Sequence, residues 1–347
     1  MIRRALIGVG AVVIPFASFG FLVQRGAARL LDAPRVMPDE ARLSGALNAL
    51  GGEVVRIRSR DGLRLSARWL RHEPGSGDAW SPDPHEAILL LHGYSGSIAP
   101  DLVEYAPFLR RTAGVLGLDF RGHGGSDPAP TTFGMQEVED VAGALAWLGG
   151  RGILRVALCG SSMGAVTALA SVAILGDGTR VTAEADTDRP RSPTPPPRPR
   201  IVAIVADSAT PELAIPIAAR LGLPVGSRRI ADLLLAGAAR RLGSDPRETE
   251  PIRIVDLVAP VPILFVHGEA DDTTPVRAVR RLAAAAGPTA ELWTVADAGH
   301  GGAHRTARVA YEERAGAFLR HAFVGAREGG MPIIGSPGEP ALSADGS

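Results

Sequence analysis

RVALCGSSMGAVTALA, Arg155 to Ala170, is the stretch whose reading decides the fold of this chain. Arg155 to Gly160 reads as a buried strand and Ala165 to Leu175 as a helix. Between them, Gly160-Ser161-Ser162-Met163-Gly164 fits the pattern G-x-S-x-G centred on Ser162. In a strand-turn-helix elbow the central residue takes a strained backbone and stands above the sheet, with flanking glycines relieving the crowding. The next helix then offers unpaired N–H groups and a positive dipole end to a developing anion. On this reading Ser162 is a nucleophile and Ser161 fills a variable slot; the competing reading is a glycine-rich structural turn. Cys159 sits on the incoming strand as a core residue, and as the one cysteine it can form no intrachain disulfide.

Outward from the elbow the chain alternates strands with helices. Ala87–Gly93, Val115–Phe120, Ile201–Ser208 and Pro262–Gly268 are apolar strands, and ELWTVADAGH holds a last one. Met135–Leu148, Pro275–Ala286 and the region around Arg305–Phe323 have helical spacing. Apolar strands alternating with amphipathic helices predict an α/β fold, a mostly parallel central sheet with helices on both faces. Upstream, EVVRIRSRDGLRLSARWL alternates about Asp61-Gly62 and predicts an antiparallel N-terminal hairpin at one edge. Residues 209–260 carry the apolar stretches PELAIPIAARLGL and IADLLLAGAARRL. About 50 residues exceed what a crossover needs, so a small helical lid is expected there.

The ends and one insertion differ in composition. Ala5–Val23 is 19 residues without a charge, which predicts a membrane anchor or signal anchor over 1–24. Arginines flank both sides (Arg3 and Arg4, then Arg25 and Arg29), so the charge count leaves its orientation open. Residues 25–52 read as a linker with a short helix ending at Gly51-Gly52, and 53–324 as the folded domain. Residues 176–200 contain TDRPRSPTPPPRPR, a proline-rich mobile insertion whose Pro193 and Pro196 have PxxP spacing. Residues 325–347 read as a disordered tail.

Lys+Arg and Asp+Glu are equal at 37 each, which gives no reason to expect a nucleic-acid partner. The scattered histidines lack metal-ligand spacing and no G-K-[ST] follows the glycine loops, so neither metal nor cofactor is expected.

A serine nucleophile needs a base, and the base needs an orienting acid. In a parallel sheet these belong beyond the carboxyl ends of the strands. His300, in AGHGG after the last strand, is the expected base. His92 and His267 fall at strand ends, His123 in a glycine loop, His304 at a helix start, and His72, His85 and His321 on the surface. Asp271, Asp272 and Asp207 are the candidate acids. The expected oxyanion donors are the backbone N–H of Met163, after the nucleophile, and of Tyr94, in the loop after the strand at 87–91.

Taken in order, RDGLRLSARW, LLLHGYSGS, LDFRGHGGSD, GSSMG, HGEADDTTP and AGHGG resemble the α/β-hydrolase superfamily over about Glu53 to Val324. HGEADDTTP matches the family's H-G-x-x-D-x-x-x-P, which selects Asp271 by position. The resemblance is nearest to the membrane-anchored Bem46-like and acylaminoacyl-peptidase-like groups; the proline-rich insertion is outside the family pattern. It implies a serine hydrolase of carboxyl esters or lipids, held at the cell membrane by one span, with Ser162, Asp271 and His300 as its triad. The alternatives are a serine peptidase acting on short or acylated peptides and a catalytically silent, membrane-bound binding module.

Overall fold

The computed structural model describes residues 19–32, 40–73, 80–94, 96–178, 198–223 and 225–329. Among the described residues eight strands form one sheet: β1 (Glu53–Arg58), β2 (Arg64–Leu70), β3 (Glu86–Leu91), β4 (Gly114–Leu118), β5 (Arg155–Ser161), β6 (Arg200–Asp207), β7 (Ile263–Gly268) and β8 (Ala290–Val295). Their order is β1-β2-β4-β3-β5-β6-β7-β8. The β1/β2 hairpin is antiparallel and β2 pairs antiparallel to β4; every later pairing is parallel. The hairpin register sets Val55 against Ala67 and Ile57 against Leu65, which buries the alternating apolar face.

The chain steps outward from β3 to β4 and then returns past β3 to β5. The reversal opens a crevice at the carboxyl ends of β3 and β5, where a doubly wound sheet accommodates its ligand. The segments that leave those two ends, His92-Gly93-Tyr94 and the Ser162 turn, therefore meet there.

The strands divide their side chains between two cores. On one face Leu89, Leu91, Leu158 and Ile204 pack under α4 (Glu137–Gly149), α5 (Met163–Leu175) and α9 (Val276–Ala286). On the other, Ile88, Leu90, Ala157 and Val205 meet α3 (Ile98–Leu109) and α11 (Arg308–Arg327). Helix α3 is a finding beyond the sequence reading, since Pro100 and Pro107 interrupt its pattern. Ile98, Leu102, Tyr105, Ala106 and Leu109 nevertheless share its buried face. Its first N–H groups lack intrahelical partners, and Asp119 Oδ1 accepts that of Ile98 at 2.8 Å.

Residues 209–260 fold as α6 (Ala214–Leu221), α7 (Ser227–Leu242) and a short α8 (Pro251–Ile254) with 3-10 turns around it. A four-residue helix, α10 (Ala303–Thr306), precedes α11. Helix α11 runs three residues past the expected domain end, because Ala326 is buried and Arg327 pairs with Glu86 at 2.6 Å. Residues 19–31 form a helix, α1, that runs from the last residues of the expected anchor into the expected linker, and α2 (Glu40–Leu50) follows within the linker. Ala27 and Leu31 of α1 are buried against the body. Most of the expected anchor (residues 1–18), of the proline-rich insertion (179–197) and of the tail (330–347) lies outside the described residues. Among the described residues no helix is long and apolar enough to cross a membrane.

Candidate active site

Ser162 caps α5 with φ 51° and ψ −112°. A non-glycine residue in that region stores strain that only its surroundings can maintain. Here a Cβ on Gly160 would overlap the backbone of Gly164, and one on Gly164 would overlap the carbonyl of Leu91. Strand, turn and helix thus approach too closely for any other residue at either position. The Ser162 N–H also donates to the carbonyl of Asp207 at 2.8 Å, which ties the elbow to the end of β6.

His300 arrives from the loop after β8, with its Nε2 2.9 Å from Ser162 Oγ and its Nδ1 2.8 Å from Asp271 Oδ2. Asp271, in the loop after β7, is buried, and its Oδ1 accepts the N–H groups of Thr273 at 2.9 Å and Thr274 at 2.8 Å. Burial alone raises its pKa, but hydrogen bonds from His300 and Thr274 outweigh that and leave it below the ordinary carboxylate value. With Asp271 ionised, Nδ1 of His300 is the donor and Nε2 is free to accept the serine proton.

The other candidate acids stand elsewhere. Asp272 is exposed. Asp207 is 2% exposed and accepts the Ser208 hydroxyl at 2.8 Å instead of an imidazole. Ser208, which the sequence reading passed over, has φ 53°, and its Oγ accepts the N–H of Gly301 at 2.9 Å. It therefore braces the loop one residue beyond His300. No local motif marks Ser208, because its partner is 93 positions away in the chain.

Histidines at strand ends play supporting parts. His267 is buried behind Asp271 and donates Nε2–H to the carbonyl of Thr274 at 2.8 Å; burial lowers its pKa and keeps it neutral. His92 is fully buried, and its pKa is pushed down to about 3 by burial. The neutral ring donates Nδ1–H to the carbonyl of Gly93 at 2.7 Å and accepts the N–H of Phe120 at Nε2, 3.1 Å away. It fixes the segment leaving β3. A Cβ on Gly93 would stand 3.5 Å from that of Ser162, so the Gly93–Tyr94 peptide passes beside the nucleophile. The N–H of Met163 lies at the first turn of α5, one residue on from it.

The remaining histidines lie apart. His123 is buried with Nδ1 on the carbonyl of Arg121, and His304 bridges Glu104 and Glu312. Arg121, from the same loop as His123, is buried between Asp140 and Asp61. Among the described residues no group of three or more His, Cys, Asp or Glu side chains is placed to hold a metal ion. A narrow, mostly apolar cavity lined by Leu90, Tyr105, Cys159, Ser161 and Tyr311 lies behind the elbow, and Ser162 and His300 are not in its wall. On the Tyr94 side, Arg220, at the end of α6, stands 5.2 Å from the Tyr94 ring.

Comparison with known proteins agrees with this fold. Residues 88–313 match the family described as the alpha/beta hydrolase family. The uncharacterized protein YqkD of Bacillus subtilis (strain 168) is 29% identical over 209 residues, 57% of this chain and 60% of that protein. The match thus spans less than two thirds of its relative. The Pf2001 esterase of Pyrococcus furiosus superposes with a TM-score of 0.57 over 83% of this chain and 98% of its own, at 22% identity. A puromycin hydrolase gives 0.57 over 79% of this chain and 39% of its own, at 20% identity.

Proposed function

This chain belongs to the alpha/beta hydrolase family, and we propose that it is a serine hydrolase cleaving carboxyl esters through Ser162, His300 and Asp271. The observation that carries the reading is the unbroken line of hydrogen bonds from Asp271 through His300 to Ser162, at 2.8 and 2.9 Å.

The chemistry follows from that line. His300 Nε2 takes the Ser162 proton as Oγ bonds to the substrate carbonyl carbon and the π pair moves onto oxygen. The N–H groups of Met163 and Tyr94 bind the oxyanion, each worth on the order of a hundredfold or more in rate. Asp271 holds the ring in place and stabilises the imidazolium. Collapse of the tetrahedral centre breaks the ester C–O bond, and the departing alkoxide takes the proton from Nε2. Water then gives a proton to the same nitrogen and attacks the acyl-enzyme. A second collapse releases the acid, and Nε2 returns the proton to Ser162 Oγ.

The substrate class proposed is an acyl ester, lipids included. The pair α6–α7 would serve as the lid, since α6 brings Arg220 beside Tyr94. The uncharged run Ala5–Val23 suits a single-pass anchor of the Bem46-like kind, which would keep the site near lipophilic esters. The fold is shared with an esterase.

A second reading, a peptidase of short or acylated peptides, is favoured by Arg220. It is exposed, stands beside Tyr94, makes no ion pair among the described residues, and suits a peptide carboxylate.

The two readings separate in a series of p-nitrophenyl esters, from acetate to palmitate, run beside aminoacyl p-nitroanilides with wild type and Ser162→Ala. Ester turnover that exceeds anilide turnover and vanishes in Ser162→Ala supports the first reading. The reverse preference supports the second.

A further inference from the structure

Helix α1 precedes the family domain, yet its last turn reaches into the site. The final carbonyls of a helix have no intrahelical partner. In α1 those of Leu30 and Leu31 are taken by the core: Leu30 O accepts the hydroxyl of Tyr94 at 3.0 Å, and Leu31 O accepts the N–H of Thr131 at 2.7 Å.

Both contacts converge on one aromatic pair. Thr131 leads into Phe133, whose φ of 57° is costly for a bulky residue. Such strain persists only where the surroundings enforce it. Glu137, fully buried, enforces it by accepting Thr132 N–H at 2.8 Å, Thr132 Oγ1–H at 2.6 Å and Gly134 N–H at 2.8 Å. The Phe133 ring then stacks on Tyr94, with centroids 5.4 Å apart and planes 28° from parallel. Tyr94 is thus held at its hydroxyl by α1, at its ring by Phe133, and beside Arg220 of the lid, while its peptide passes Ser162.

We propose that α1 is a positioning element of the active site, fixing through Leu30 and Leu31 the Tyr94 segment that binds the oxyanion. The inference rests on the serine-hydrolase reading above. A misplacement of about 1 Å at such a donor is enough to cost a large rate factor. Undocking α1 therefore lowers turnover while leaving the triad in place.

Two variants of the full chain test this. Tyr94→Phe removes the hydroxyl and keeps the ring. Ala27→Arg places a charge at a fully buried position, where a Cβ on Gly237 of α7 would lie only 2.9 Å from the Ala27 Cβ, and so expels α1. Turnover of p-nitrophenyl butyrate is measured per titrated active site, together with the Ki of phenylboronic acid, which mimics the tetrahedral oxyanion on Ser162. Tyr94→Phe is expected to lower kcat about tenfold with KM within about twofold, and to raise Ki in parallel. Ala27→Arg is expected to do at least as much, and the double variant no more than Ala27→Arg alone. Unchanged kcat and Ki in both single variants, or strictly additive losses, would overturn the proposal. A wild-type chain that turns over no ester would instead overturn the functional reading, and this inference with it.

Discussion

His300 Nδ1 lies 2.8 Å from Asp271 Oδ2, and the other oxygen of that carboxylate is held by two backbone N–H groups. The acid is thereby fixed in orientation and kept ionised, while Asp272 faces solvent and Asp207 is bonded to Ser208. Asp271→Asn is expected to lower kcat by about four orders of magnitude, since the amide reverses the tautomer of the imidazole. Asp272→Asn and Asp207→Asn are expected to stay within about tenfold. Steady-state kinetics of the three variants on one ester decide this. A deep loss in Asp207→Asn with a mild one in Asp271→Asn would move the acid to β6.

Asp207 carries a pH prediction. Burial pushes its carboxyl up to about 6, against the hydrogen bond from Ser208 that lowers it. Between the ordinary carboxylate value and about 6 the folded chain keeps a proton that the unfolded chain has lost. Stability therefore falls as pH rises through that window, by on the order of 3 kcal/mol from this group. Urea midpoints from pH 4 to pH 7 are expected to decline less steeply in Asp207→Asn than in wild type. Parallel slopes would show that the carboxyl is ionised throughout.

Arg121 carries a stability prediction. Its guanidinium, 2% exposed, bonds Asp140 Oδ1 at 2.8 Å and Asp61 at 2.8 and 2.9 Å. Asp140 is fully buried. Arg121→Leu leaves that carboxylate without its partner and is expected to cost about 3–5 kcal/mol. Asp61→Ala, at the exposed end of the fork, is expected to cost markedly less. Chemical denaturation with both variants checks the order; equal losses would contradict it.

The sheet was legible in the chain because its strands are apolar on both faces and its helices are not, so the alternation shows in composition. The elbow was legible because Gly160 and Gly164 are demanded by backbone overlap, which permits no other residue. His300 could be separated from the other histidines by its place after the last strand. Among the acids, the residues alone left Asp271, Asp272 and Asp207 open; the resemblance to the family's H-G-x-x-D-x-x-x-P implied Asp271, and the structure places that carboxylate on His300. Helix α3 was hidden by Pro100 and Pro107, tolerated because Asp119 caps its start and its buried face outweighs the break. Ser208 and the Leu30–Tyr94 contact were beyond reach for a different reason. Each joins residues 93 and 64 positions apart, and nothing local announces a hydrogen bond of that kind.

Fluorophosphonate labelling followed by peptide mapping decides whether Ser162 is the nucleophile. One phosphonyl group per chain is expected, carried on Ser162, abolished in Ser162→Ala and largely retained in Ser161→Ala. Equal labelling of wild type and Ser162→Ala, or a label mapped to another residue, would contradict it.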